Sequence, residues 1–504
     1  MTKAKLIVEN KSLKVKLAEK EFIIEKLQKL LFGPKSERFT NKETPSNQLS
    51  IFETDPCQEV PDQGVETITY QRNKVGQKQR DPNRIPLPED LPRIEIVIEP
   101  QEDISEYVKI GEEVTEILDI VPPVFQVIRI IRPKYAKAEA KKEDVAKPII
   151  IAPMPQRAID KGIPSTRLLA YIIMSKFMDH LPYYRQIKMF HRIGVNIKSN
   201  TINGWIARTC VLLKPLYEAF CKEHFSKPYL QADETTIKVL KVKKSGKKGK
   251  AHTGYYWVYY DPLDNHVVFI FDPGRARKYP AKHLSNFSGT LQTDGLSVYD
   301  AFDQLSNVVL CACMAHIRRK FTDALSNDKQ RAEYALEKIQ TLYAIERLAR
   351  DENYTEEQRL KLRQEKAVPV MAALKSWLDN QYNSNEVLPQ SAIGQAIRYA
   401  LGRWKYQERY LNDGRIEIDN NLVENAIRIV ALGRKNYLFA GSEQGAQWGA
   451  IIYTLLGSAA RHGHNPIIYL TDILRRLPNT KLSQLNQLFP SNWSKAPQDV
   501  LDIL

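Results

Sequence analysis

Between residues 228 and 272 the chain alternates apolar and polar positions in three bursts, "PYLQADETTIKVL", "GYYWVYYD" and "HVVFIFD", all rich in β-branched and aromatic residues. A period of two sends successive side chains to opposite faces, so the pattern predicts three consecutive strands in a meander. "ARKYPAKHLSNF" then reads as helix, "GTLQTDG" as a fourth strand, and "NVVLCACMAH" as a fifth that runs into the helix "IRRKFTDAL". From about Arg331 to Tyr410 the period lengthens to that of helices, with Glu, Lys, Arg, Leu and Ala dominating, before the chain returns at "IDNNLVENAIR".

Upstream, residues 5–32 place Leu6, Leu13, Lys20 and Leu27 in one seven-residue series and Asn10, Leu17, Ile24 and Leu31 in another. This is a short heptad pattern, compatible with a coiled coil in which Asn10 selects a dimer, or with a helix docked on its own protein. After it the composition turns to Pro, Asn, Gln, Ser and charge, as in a linker. "RIEIVIEP" and "FQVIRIIRPKY" alternate like strands of a small module. Three helical patterns follow, "STRLLAYIIMSKFMDH", "YYRQIKMFHRIG" and "SNTINGWIARTCVLLKPLYEAF", the last two joined through Gly194, with Ser199 or Asn200 as the expected cap. A short helix, a glycine turn and a second helix have helix-turn-helix spacing; ordinary helix packing gives the same pattern.

The strand and helix order is that of a ribonuclease H-like sheet. The expected fold class is therefore α/β: a ribonuclease H-like core with a long helical insertion before its last helix. An N-terminal helix, a small strand-containing module and a helical DNA-binding region precede it. The segments are 1–32, N-terminal helix; 33–84, basic linker; 85–160, strand-rich module; 161–226, helical region; 227–330 with 412–445, core; 331–411, insertion; and 446–504, C-terminal helical element.

Charge narrows the class. A formal charge of +15 at pH 7 and an isoelectric point near 9.3 point to a polyanionic partner. Five cysteines, sparse and odd in number, are unlike a disulfide framework, and no apolar run spans a bilayer, so a cytoplasmic, nucleoid-associated protein is expected.

Three carboxylates stand out. Asp233 interrupts the apolar first strand, Asp294 ends the fourth beside Gly295, and Glu424 lies one turn inside the helix that begins at "DNN". Each alone reads as a cap, a turn or an i,i+4 partner of Arg428. In the predicted strand order they form one acidic cluster, whose mutual repulsion is relieved by hard divalent cations.

With these motifs the chain resembles the insertion sequence 66 family of bacterial DDE transposases. "QADET", "LQTDGLSVYD", "CMAHIRRKF" and "IDNNLVENAIRIVALGRKNYLFAGSEQGA" carry the likeness. So do "LFGPKSERF", "IGEEVTEILDIVPPVFQVIRIIRPKY", "HLPYYRQIKMFHRIGV" and "GHNPIIYLTDILRRL". The resemblance implies that Asp233, Asp294 and Glu424 are a catalytic triad and metal ligands, that the metal is Mg²⁺ or Mn²⁺, and that the substrate is double-stranded DNA at transposon ends and at the target. A homo-oligomer, accessory proteins of the same element and no membrane partner go with it. A metal-dependent nuclease of the same fold and a catalytically inactive DNA-binding remnant are the rival readings.

One departure matters. The family's paired cysteines, which look like a zinc site, are missing from "PQEDISEYVKIGEEV" and "KYAKAEAKKED", so zinc is not expected there. Cys311, Cys313 and His316 have ligand-like chemistry, but a strand-to-helix junction more often holds core thiols. Residues expected to contact DNA are His316, Arg318 and Arg319; Arg428, Arg434 and Lys435; Asn200 and Asn203 on the second helix of the pair; and Lys243, Lys244, Lys247 and Lys248 in "KVKKSGKKGK".

Overall fold

The computed structural model describes residues 125–495 apart from 136–149, 152–153, 155, 161, 241–250 and 385. The heptad segment, the linker, "RIEIVIEP" and the lysines from Lys243 to Lys248 lie outside the described residues. Among the described residues, three helices precede the sheet: α1 (Thr166–Phe177), α2 (Tyr183–Arg192) and α3 (Ser199–His224). Five strands follow, β1 (Tyr229–Val239), β2 (His252–Asp261), β3 (His266–Asp272), β4 (Gly289–Thr293) and β5 (Val308–Cys311), with the short helix α4 (Lys278–His283) between β3 and β4. After β5 come α5 (Met314–Ala324) and the inserted helices α6 (Lys329–Asp351), α7 (Glu356–Leu362), α8 (Val368–Asn383) and α9 (Ala392–Gln407). The described chain closes with α10 (Asn421–Tyr437), α11 (Glu443–Arg461) and α12 (Pro466–Arg476).

The strands form one mixed sheet in the order β3-β2-β1-β4-β5. β1, β2 and β3 pair antiparallel, whereas β4 and β5 add parallel after crossovers. Alternation along β1 separates its neighbours cleanly. Leu230 and Ala232 pack with Trp257, Tyr259, Leu291 and Tyr299 on one side. Ile237 and Val239 join Tyr256, Val258 and the helices α1, α3, α10, α11 and α12 on the other. The inserted helices build a further core with α5, in which Leu336, Ile339, Leu374, Ile397 and Trp404 are buried.

β3 is an edge strand, and an exposed edge invites pairing with another chain. Here α11 covers it: Val267 N donates to Ser458 Oγ (3.0 Å) and Phe269 N to Thr454 Oγ1 (2.9 Å). The helix comes this close because Gly457 has no side chain; a Cβ there would lie 3.1 Å from Val267. Among the described residues, no helix is long and apolar enough to cross a membrane.

Two local expectations need correction. The alternating "FQVIRIIRPKY" is irregular through residues 125–133, and only Lys134–Tyr135 pairs, with Ile150–Ile151. Among the described residues no strand lies beside 125–133 to supply backbone partners, and Val127 and Ile131 stay exposed, so alternation alone does not make a strand there. The N-cap of α3 is Lys198, without a side-chain bond, so neither Ser199 nor Asn200 caps it.

His224, at the end of α3, gives the fold a pH dependence. Burial pushes its imidazole down to about 3, and the positive charges of His266 and Lys227 act in the same direction. The unfolded chain therefore takes up a proton near pH 6.5 that the folded chain refuses, and stability falls as pH drops from 6.5 toward 3. At pH 5 the loss from this one group is about 2 kcal/mol. We expect His224→Leu to flatten the decline in urea-unfolding free energy between pH 7.5 and 5; an unchanged slope would place the acid sensitivity elsewhere.

Candidate active site

The register of the parallel pair β1–β4 builds the site. Ala232 stands opposite Thr293, so the residues that follow, Asp233 and Asp294, sit side by side on adjacent strands. Asp294 lies just past the end of β4. There the chain turns at Gly295 (φ +88°), a conformation that L side chains rarely adopt. Asp294 Oδ1 accepts from Leu296 N (2.9 Å), and Tyr399 of α9 donates its hydroxyl to the Asp294 carbonyl (3.0 Å).

Glu424 comes from the first turn of α10, and three buried polar residues beneath that turn fix where it sits. Gln231 Nε2 donates to the Asp419 carbonyl (2.9 Å), and Gln231 Oε1 accepts from Val423 N (3.2 Å). Gln292 Nε2 donates to the Glu417 carbonyl (2.8 Å) and to the Ala312 carbonyl (3.0 Å). Tyr229 joins them: its hydroxyl donates to Gln292 Oε1 (2.6 Å) and accepts from Glu417 N (3.0 Å). Polar groups in an apolar sheet are tolerable only when partnered, and here the partners are the backbone of 417–423. The strands that carry the aspartates thus also hold the start of the helix that carries the glutamate.

The residues responsible were missed in the sequence, although a signal was present. Both strands read Gln-x-Asp, Gln231-Ala232-Asp233 and Gln292-Thr293-Asp294. A spacing of two puts each Gln on its Asp's face of the sheet.

Crowding shows in the electrostatics. The Asp233 carboxyl is pushed well above its ordinary range, first by burial, then by the Asp294 and Glu234 carboxylates, with Glu424 adding; a bond from Glu234 N (2.7 Å) opposes the shift. Glu424 turns toward α5, with His316 Nε2 at 3.7 Å from Oε1 and Arg319 Nη2 at 4.0 Å from Oε2. Asp419 supports the same turn, accepting from Asn421 N (3.0 Å) and from the Tyr343 hydroxyl (2.7 Å).

Glu234 points to the other face, where Arg275 pairs with it. These two, with Thr235, Thr236, Tyr255 and Arg434, line an open cavity of about 290 Å³. Arg434 is held there by Thr235 Oγ1 (2.9 Å) and the Thr236 carbonyl (2.7 Å). Arg428 and Lys435 are exposed on α10, and Asn200 and Asn203 are exposed on the first turns of α3. Arg318 is half-buried on α5.

Cys311, Cys313 and His316 do not converge on a common point. Cys311 is a core residue whose thiol burial pushes up to about 12. Cys313 Sγ accepts from Asn420 N (3.4 Å), and His316 faces Glu424.

Sequence comparisons place the chain among known proteins. The profile of the family described as "Transposase IS66 family" matches residues 161–448. Flanking it, "Transposase C of IS166 homeodomain" matches 21–96, "zinc-finger binding domain of transposase IS66" matches 105–136, and "IS66 C-terminal element" matches 454–491. The stretch 105–136 contains neither cysteine nor histidine. "Uncharacterized protein y4qI" of Sinorhizobium fredii is 34% identical, with 97% of this chain and 92% of that protein covered. "Uncharacterized protein y4jD" of the same organism is also 34% identical, with 82% of each covered.

Proposed function

Because the chain belongs to the IS66 family of transposases, we propose that it cuts the ends of an insertion sequence and joins the freed 3′ hydroxyl to target DNA, using Asp233, Asp294 and Glu424. The observation that carries this reading is the crowding at Asp233, whose carboxyl is raised by burial and by the neighbouring acids. The sheet order, with three antiparallel strands followed by two parallel ones, supports a ribonuclease H-like core.

The donor set fits a hard divalent cation. It offers only carboxylate oxygens, crowded enough to repel one another. Among the described residues their ligand atoms do not all come within 4.8 Å, so the arrangement is wider than a single-ion cage. Asp233, Asp294 and Glu424 would hold Mg²⁺ or Mn²⁺, which when bound supplies charge neutralisation at the scissile phosphate and acidifies the attacking hydroxyl. The protein's own part is orientation. Gln231, Gln292 and Tyr229 hold the start of α10, Tyr399 holds the Asp294 turn, and Arg319 places positive charge, with the His316 imidazole beside it, where the DNA backbone would pass Glu424. Water attacks in the first step and the DNA 3′ hydroxyl in the second.

The test is a purified protein given a duplex carrying the element's end, a target plasmid and Mg²⁺. Cutting followed by joining supports a transposase. Cutting without joining would favour a nuclease, and binding without either an inactive remnant.

DNA binding should be separable from this chemistry. Each phosphate neutralised by a cation steepens the log–log salt dependence of affinity by about 0.9. We expect replacement of Lys243, Lys244, Lys247 and Lys248 by Ala to weaken binding to every duplex and flatten that slope. Asn200→Ala and Asn203→Ala should instead erode the preference for element ends over random duplex, if α2 and α3 read bases. Equal losses on both duplexes would make the helix pair packing and not a reader.

A further inference from the structure

The hairpin between β2 and β3 gathers a second set of ligand-type side chains, away from the carboxylate cluster. Asp261 ends β2, Asp264 lies in the turn and His266 begins β3; one ligand atom from each falls within 4.8 Å of the others, the only such group among the described residues. Asp261 and His266 face each other in register and are 0% and 1% exposed. His266 Nε2 and Asp261 Oδ2 are buried with no hydrogen-bond partner. A ring nitrogen and a carboxylate oxygen left bare in the interior are costly, and such groups ask for a missing partner. The other Asp261 oxygen accepts from Leu263 N (2.9 Å).

We propose that Asp261, Asp264 and His266 form a binding site for a divalent transition-metal ion. One imidazole nitrogen with two carboxylates suits the manganese, cobalt and zinc class better than Mg²⁺, which favours oxygen alone. It is also a different chemistry from a thiolate cage. Asp233 pairs with Val258, three residues before Asp261 on β2, so the two sites stand about 10 Å apart along the sheet at ~3.3 Å per residue. They share no ligand.

Lys227 Nζ sits 2.6 Å from Asp264 Oδ2 and supplies the positive charge there. It has an alternative partner in Glu223, at 3.6 Å, and can turn to it when an ion takes its place. An ion here would tie the hairpin to its surroundings. The His266 ring packs edge-on against Phe220 of α3 (4.8 Å between centroids), and its centroid lies 5.1 Å from that of His462 at the end of α11.

The experiment uses the full chain, stripped of metal and titrated with Co²⁺, following visible absorption and thermal unfolding. We expect a Co²⁺ signal that survives in Asp233→Asn and Glu424→Gln, weakens about tenfold or more in Asp264→Asn and His266→Gln, and comes with a raised Tm in the wild type. Asp264 is in an exposed part of the turn, so its variant should fold even if the His266 variant does not. Lys227→Met should tighten Co²⁺ binding. Equal binding by wild type and Asp264→Asn, or a Lys227→Met variant that loses stability without gaining Co²⁺ affinity, would overturn the site and leave Lys227 as the permanent counter-ion. Mg²⁺-dependent cleavage by Asp264→Asn should match wild type, which separates this result from the fate of the transposase reading.

Discussion

Asp294→Asn is expected to lower cleavage of the element's ends at least about 1,000-fold, or about 4 kcal/mol at 1.36 kcal/mol per factor of ten, and at the same time to raise the protein's thermal stability. The two effects have one cause. Asp294 is the largest charged contributor to the displaced Asp233 carboxyl, after burial. Removing its charge relieves that repulsion in the folded state while taking away an oxygen ligand. The amide still accepts the Leu296 N–H, so the turn at Gly295 keeps its bond. Asp233→Asn and Glu424→Gln should lose cleavage to a similar extent, with end-DNA affinity within about twofold of wild type, since the basic residues are untouched. A folded Asp294→Asn protein that still cuts would remove Asp294 from the site. One that neither cuts nor melts higher would leave the acids catalytic but not strained.

The sheet and its acids were legible because their signals are local. A period of two, a Gly after Asp294 and an "IDNN" helix start are read within a few residues, and β1, β4 and α10 follow them. What was not legible depends on distant partners. "FQVIRIIRPKY" has the alternation of a strand, yet among the described residues only its last two positions find a strand to pair with. Glu424 invited a pairing with Arg428 one turn away, yet it turns toward His316 and Arg319, over a hundred residues earlier. The insertion hides the most. Its pattern predicts helices and nothing about which charges are buried, and Glu346 and Arg363 are 1% and 0% exposed. No period can show that two charges seventeen residues apart, on different helices, meet in the interior.

That buried pair connects the insertion to the site. Arg363, in the π-helical turn Arg363–Ala367 after α7, uses all five of its N–H donors. Two go to Glu346 (2.7 and 2.8 Å), and three to the carbonyls of Tyr410 (2.8 Å), Asp413 (2.7 Å) and Ile416 (2.7 Å). Arg359 bridges Glu346 and Glu417 alongside it. Burial works to raise the Glu346 carboxyl, but the two guanidinium groups overcome it and hold it below its ordinary value. The clamped carbonyls belong to 410–416, the segment that leads into the Glu417–Val423 stretch gripped by Gln231 and Gln292. Arg363→Met should therefore cost about 3–5 kcal/mol of stability, because it strands a buried carboxylate and three carbonyls together. Arg363→Lys should fare little better, since an ammonium cannot span that fork. Adding Glu346→Leu to Arg363→Met removes the stranded charge but not the unpaired carbonyls, so urea unfolding should show only partial recovery. Full recovery would mean that the ion pair is the whole effect and that the backbone clamp adds nothing. If the clamp acts as described, the double variant should also cut element ends more slowly than wild type while binding them as well, because the loosened 410–416 segment no longer seats Glu424 beside the two aspartates.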